Sequence, residues 1–185
     1  MQLGSQILLA EQELLLRDLR RDDAADWYAY LRIPAVVQHT SWDLSCMEDL
    51  LPQFEHYEST LPESALRLAI VSAADQTLIG TIGLHTVSPV NRSAELAYDL
   101  APAFWGRGIA RAAATALLEW AFDVRELNRI QATTLESNIA SQRVLQKLEF
   151  QREGCLRAYR MVRGKPGNFW MYARLHPQLR TPEGG

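Results

Sequence analysis

Residues 94–112 read AELAYDLAPAFWGRGIARA, in the order of a strand, a tight loop and the start of a helix. Ala94–Leu100 alternates small and apolar residues with Glu95 and Asp99, and it stops at Pro102, which cannot donate to a sheet ladder. Gly106 and Gly108 then bracket Arg107, directly before a run of helical periodicity. Glycine reaches positive φ without steric cost and lets a ligand approach the backbone. The first turn of a helix adds N–H groups without intrahelical partners and the positive end of the helix dipole. The segment therefore predicts an anion site, most naturally for a pyrophosphate, with Arg107 and Arg111 adding charge.

Other phosphate loops fail on spacing. No G-x-x-x-x-G-K-[ST] is present, and the third glycine of the dinucleotide fingerprint would fall on Arg111. Upstream, Leu66–Val71, Leu78–Leu84 and Ala94–Leu100 are strand-like runs separated by turn residues, an antiparallel meander and not the opening of a βαβ unit. Before the meander come a strand over 13–19 and a helix capped by Asp22 or Asp23 and stopped by Pro34. A second helix follows Ser45, with Glu48 completing a capping box. After the loop the pattern alternates: helix 108–124, strand Arg129–Leu135, helix Asn138–Leu148, then strands Phe150–Arg160 and Asn168–Leu175 across the turn at Gly164–Gly167. The fold class is α+β (mixed α/β), one domain over 1–185 with its core at about 12–175 and a frayed tail from His176.

With 185 residues, 48% hydrophobic and 22% charged, the composition is that of an ordinary globular chain. A chain of this size buries about 70% of its unfolded surface and needs no metal or disulfide staple. Cys46 and Cys155 sit in no C-x-x-C or Cys/His cluster, which argues against a disulfide scaffold and a structural zinc. No apolar run approaches the roughly 20 residues of a membrane helix. The opening MQLGSQILLAEQE lacks a basic n-region and meets Glu11 early, so the expected compartment is the cytoplasm.

A net charge of −3 argues against a nucleic-acid binder. Residues 1–75 nevertheless hold 5 basic and 13 acidic side chains, and residues 76–185 hold 14 basic and 9 acidic. These are either two solvated faces or an acidic surface toward a cationic substrate and a basic one toward an anionic cofactor.

The 94–112 run resembles the acetyl-CoA signature of the GNAT acetyltransferase superfamily. Asn138–Phe150, NIASQRVLQKLEF, follows at the expected distance and is similar to that family's N-x-x-S/A…K-x-G-F helix. Trp105 stands where the pattern [QR]-x-x-G-x-[GA] has Gln or Arg, a replacement familiar in the RimJ/RimL group of ribosomal-protein N-terminal acetyltransferases. The resemblance spans about 12–175. It implies a GNAT fold, a mostly antiparallel twisted sheet of six to seven strands flanked by about four helices, with acetyl-CoA as cosubstrate and no metal. It further implies that Tyr98, Leu100, Trp105, Gly106, Arg107, Gly108, Ile109, Ala110, Arg111 and Asn138 contact CoA. The amides of about 106–111 would cradle the pyrophosphate. Tyr98–Leu100 would splay from Arg129–Leu135 so that the pantetheine arm pairs with the strand edge, and Asn138 would touch that arm.

Acetyl transfer to an amine needs a neutral nucleophile, a donor for the oxyanion and a proton or hydrogen bond for the departing thiolate. The acid that many GNAT enzymes carry, a Tyr seven residues after the Asn, is replaced here by Leu145. Ser141, one turn along from Asn138, is the substitute, or else a serine back-bonded to the preceding turn. Glu95 and Asp99 are four apart and share a strand face. Either would act as base or ammonium anchor, or would pair with a nearby arginine. Glu136 would complement a helix dipole. His39 and His85 have no partner at telling spacing and read as polar packing. Trp27, Tyr28, Tyr30 and Trp42 read as core between the first helices. The resemblance instead sets them over the acceptor slot, where with Asp43, Glu48 and Asp49 they would suit a cationic amine. Cys155 reads as inert.

The expected acceptor is a protein N-terminal α-amine, of the basic ribosomal-protein type. The alternatives are a small amine (polyamine, amino acid derivative or antibiotic) and, given Leu145, a non-catalytic acetyl-CoA-binding module. A homodimer is compatible with the group; no nucleic-acid or membrane partner is expected.

Overall fold

The computed structural model describes residues 2–4 and 6–179; the tail expected to fray lies outside the described residues from 180 onward. Eight strands form one sheet in the order β1-β2-β3-β4-β5-β6-β8-β7. They are β1 (Ile7–Leu9), β2 (Leu14–Asp18), β3 (Leu66–Ser72), β4 (Leu78–Ser88), β5 (Ser93–Leu100), β6 (Arg129–Leu135), β7 (Gln151–Val162) and β8 (Lys165–Leu175). The helices are α1 (Ala24–Leu31), α2 (Pro34–Val37), α3 (Leu51–Glu58), α4 (Ile109–Asp123) and α5 (Ile139–Lys147). The count of six to seven strands is thus corrected to eight. The addition is β1, three residues that pair with Leu14–Leu16 around a short turn in which Glu13 takes φ 52°. Three residues are too few to show a period of two.

Every strand pair is antiparallel except β5–β6, whose connection runs through α4, as a parallel pair requires. Alternation along the strands sorts the side chains onto two faces. Leu16, Leu68, Ile82, Leu96 and Ala132 lie with α4 and α5 in one core; Ala69, Val71 and Leu78 lie with Trp27, Leu31, Leu50 and Phe54 of the α1–α3 region in the other. β3 is central and buried on both faces, which is why it reads as an unbroken apolar run. The buried stripe of α4 is Ile109, Ala113, Ala114, Leu117, Leu118, Ala121 and Phe122; Val124, the last residue of the expected helix 108–124, caps the helix and is exposed. Gly83 has a packing reason, because a Cβ there would sit 2.0 Å from the Leu66 carbonyl oxygen.

Two caps shape the α1–α3 face. Asp23 accepts the Arg20 N–H at 2.8 Å and two Arg17 N–H bonds at 2.7 Å, closing the turn that leads into α1. Before α3 the capping carboxylate is Asp49, not Glu48: Asp49 Oδ2 accepts the N–H groups of Ser45 (2.7 Å) and Cys46 (3.1 Å). This starts the 3-10 turn Met47–Leu50, and α3 proper begins at Leu51 with Pro52 in its first turn.

The feature that positions the site is a gap in the sheet. β5 and β6 pair only at Ser93–Arg129, Ala94–Ile130 and Glu95–Gln131. Beyond Glu95, β5 stays with β4 as far as Leu100, while β6 stays with β8 to its end at Leu135. Each strand follows its outer neighbour, and the two part in a V.

Candidate active site

A cavity of ≈ 680 Å³ passes through this V. Glu95, Ala97, Asp99 and Thr133 line it from the α1–α3 face; Leu96, Tyr98, Thr134, Ser141 and Leu145 line it from the α4–α5 face. A reactant arriving on one face of the sheet can therefore meet a reactant held on the other. His39, Trp42, Asp43, Asp49, His56, Tyr57, Arg67, His85, Arg160 and Phe169 complete the wall on the α1–α3 side.

The glycine loop lies where β5 hands over to α4. Gly106 and Gly108 take φ of 75° and 78°, and a Cβ on either would meet no atom within 4 Å. They are required by backbone conformation and not by crowding. Gly108 is the N-cap of α4 and brings no capping side chain, so the N–H groups of Ile109, Ala110 and Arg111 lack intrahelical acceptors. Trp105 is exposed and its indole donates to the Leu100 carbonyl at 2.8 Å, folding the loop back onto the end of β5. Arg107 lies over the Phe104 ring, 5.4 Å from its centroid. The unpaired N–H groups of this loop suit a diphosphate ester, and the open edges of the V suit an amide-bearing chain. Thr134 Oγ1 is buried at the V without a hydrogen-bond partner, and β5 beyond Glu95 has no strand on that side.

Asn138 N-caps α5, its Oδ1 accepting the Ser141 N–H at 3.1 Å. That bond fixes the first turn and aims Ser141 at the gap. Ser141 Oγ lies 2.8 Å from the hydroxyl of Tyr98, which crosses from β5. Burial pushes the Tyr98 phenol up to about 12. Leu145 is buried and apolar. Periodicity did not show that Tyr98 and Ser141 meet.

Glu95 and Asp99 do share a face but sit in different surroundings. Asp99 is enclosed by donors: Tyr30 Oη at 2.5 Å, Thr81 Oγ1 at 2.9 and 3.0 Å, Trp27 Nε1 at 3.3 Å, and the Arg67 guanidinium in an ion pair. Arg67 also stacks on Trp27, 5.7 Å from the ring centroid. Asp99 thus takes up the arginine pairing that was the alternative to its role as base. Trp27 and Tyr30 belong to the core and hold this carboxylate.

Glu95 is buried, but only Oε1 is engaged, by Thr133 Oγ1 at 2.6 Å and Arg160 Nη2 at 3.3 Å. His85 Nε2 lies 3.9 Å from the same oxygen. Burial is the main cause that holds His85 below its ordinary value; Arg67 and Arg160 act in the same direction and Glu95 opposes them. His39, 3.3 Å from Ser137 Oγ, is also lowered by burial. Both histidines, read from the sequence as packing, face the cavity. Their partners lie on other strands and helices, so spacing along the chain carried no signal. Neither Glu48 nor Glu136 lines the cavity; the Glu136 carbonyl accepts from Gln142 at 2.8 Å and its N–H donates to the Asn168 carbonyl at 3.0 Å.

Among the described residues no group of three or more His, Cys, Asp or Glu is placed to hold a metal, and no helix is long and apolar enough to cross a membrane. Residues 13–151 match the family model described as "Acetyltransferase (GNAT) domain". The chain is 30% identical over 171 residues to the uncharacterized N-acetyltransferase p20 of Bacillus licheniformis, covering 90% of this chain and 95% of that one. It is 37% identical over 101 residues to a putative ribosomal N-acetyltransferase, YdaF, of Bacillus subtilis, covering 55% of each. In fold it matches spermidine N-acetyltransferase from Vibrio cholerae, solved with CoA and spermine, at a TM-score of 0.79 and 20% identity, over 89% of this chain and 96% of that one. The chain belongs to the GNAT acetyltransferase family and is an N-acetyltransferase that uses acetyl-CoA.

Proposed function

We propose that this GNAT enzyme acetylates the N-terminal α-amine of a protein, of the ribosomal-protein type, by direct attack without a covalent enzyme intermediate. The observation that carries the reading is the cavity that passes through the V between β5 and β6, with Ser141 on one side and Glu95 on the other. Acetyl-CoA supplies an acetyl group activated as a thioester. The amides of 106–111 would hold its pyrophosphate, with Arg107 and Arg111 nearby, and Tyr98–Leu100 and Asn138 would flank its arm. Glu95 would anchor the acceptor ammonium and take its proton through water, leaving a neutral amine to attack. Ser141 Oγ–H would donate to the sulfur as the C–S bond breaks and the electron pair moves onto it. The nitrogen would lose its second proton to solvent as the amide forms, and the thiolate would gain its proton from solvent.

Charge pairing favours a peptide over a polyamine. Asp99 is paired with Arg67, Glu95 with Arg160, and Asp43 lies 3.7 Å from Arg163. The slot thus offers little unpaired negative charge to a chain of ammonium groups. Trp42, Tyr57, Phe169 and the histidines suit the first residues of a peptide.

The test is free-thiol release from acetyl-CoA with N-terminal peptides, spermidine and other small amines, for wild type, Ser141→Ala and Glu95→Gln. Turnover on peptides is expected, with kcat lower by about 10²-fold in each variant and little change in KM for acetyl-CoA. Turnover on spermidine but on no peptide would overturn the acceptor assignment.

A further inference from the structure

We propose that Tyr98 is a positioning residue for acetyl transfer, its hydroxyl donating to Ser141 Oγ and so turning the serine proton toward the departing sulfur. The inference rests on the reading of Ser141 as the sulfur's hydrogen-bond donor. Tyr98 lies three residues beyond Glu95, the last residue of β5 that pairs with β6. From this stretch, paired with β4 but not with β6, its ring packs against the α4–α5 core, and its hydroxyl comes to 2.8 Å from Ser141 Oγ. Asn138 holds the serine main chain from the other direction. The serine is therefore fixed at its backbone by the cap and at its oxygen by the phenol.

The direction of the shared hydrogen bond follows from acidity. A phenol is the stronger O–H donor and a serine hydroxyl the better acceptor of the two. With Tyr98 donating, the serine proton is displaced from the phenol and left for a third atom in the cavity both residues line. A chain of two hydroxyls also polarises the outer one, so Ser141 gains donor strength as negative charge develops on sulfur. Burial keeps the phenol protonated up to about 12, so the orientation does not change across the working pH range. No proton leaves Tyr98: the sulfur departs with its electron pair, held by the Ser141 O–H, and is protonated by solvent. The arrangement brings a phenol to α5 from the opposing strand, whereas position 145 on the helix itself is a buried leucine.

The experiment is a double-mutant cycle on the full chain with Tyr98→Phe, Ser141→Ala and the double variant, read as single-turnover thiol release at saturating acetyl-CoA. Phe keeps the ring in its packing, and a thermal melt with a calorimetric acetyl-CoA titration checks fold and binding. The expected result is a fall of about tenfold in rate for Tyr98→Phe, acetyl-CoA affinity within about twofold, and no further loss when Tyr98→Phe is added to Ser141→Ala. A full-size Tyr98→Phe effect in the Ser141→Ala background would overturn the proposal, because the phenol would then act on its own or through the fold. An unchanged Tyr98→Phe beside an impaired Ser141→Ala would overturn it while leaving Ser141 in its role. If neither single variant slows release, the underlying reading of Ser141 falls as well.

Discussion

Asp99→Asn tests whether the carboxylate at the end of β5 is a strut or a base. The side chains of Asp99 and Arg67 are 13% and 8% exposed and form an ion pair. Thr81, Tyr30 and Trp27 supply the remaining donors. Asparagine removes the charge and puts an amide NH₂ where an oxygen accepted, so Arg67 is left buried and uncompensated. Breaking one side of a buried pair costs about 3–5 kcal/mol. At about 2–4 °C per kcal/mol for a chain of this size, Tm should fall by about 6–20 °C. Arg67→Met should be costly too, but the Arg67→Met/Asp99→Asn double variant should lose less than the sum of the singles, because no lone charge remains. Thermal unfolding followed by circular dichroism gives the stabilities, and thiol release well below the transition gives kcat for the folded enzyme. A Tm within about 2 °C of wild type together with a kcat loss of 10²-fold or more would refute the reasoning and make Asp99 the base.

The remaining predictions concern backbone, pH and the slot wall. Gly108→Ala forces a Cβ into the left-handed region but against no atom, so it should cost about 1–2 kcal/mol. Gly83→Ala must push β3 off β4 and should destabilise more; the reverse order in urea melts would contradict the packing account. His85 is held below its ordinary value in the fold, so as pH falls through about 6.5 the unfolded chain takes up a proton that the native state resists. Stability should therefore decline from pH 7.5 to 5.5, and His85→Asn should flatten that slope in paired urea melts, His39 supplying a residual slope of the same sign. Arg163 Nη2 donates to the Val37 carbonyl at 2.9 Å and to that of Trp42, tying the β7–β8 turn to the segment that carries His39 and Trp42 into the cavity. Arg163→Ala should raise KM for the acceptor several-fold and leave KM for acetyl-CoA unchanged in steady-state assays; equal changes in both would argue against this role.

Much of the fold was legible because its signals are local. The run 94–112 shows strand, glycine loop and helix start within nineteen residues, since positive φ, helix termini and the end of a ladder are properties of adjacent residues. The meander and the amphipathic α4 and α5 showed in periodicity for the same reason. Short-range ambiguity produced the misreadings: Glu48 and Asp49 are neighbours of equal capping chemistry, and only backbone geometry selects Asp49. β1 is too brief to carry a pattern at all.

The site divides along the same line. The sequence by itself determined which residue types stand at the loop, at Asn138 and Ser141, and on one face of β5 at Glu95 and Asp99. Alternation says which face a side chain takes, but not what awaits it there. That Asp99 is enclosed by residues 18 to 72 positions away while Glu95 keeps one oxygen less engaged was decided by strand register and the packing of α1. Tyr98 meets Ser141 across 43 residues because β5 and β6 part after Glu95, and that parting exists only once each strand is bound to its outer neighbour. Hydrogen-bond partners and the pKa shifts that follow from them are long-range properties, so only the tertiary structure could decide them.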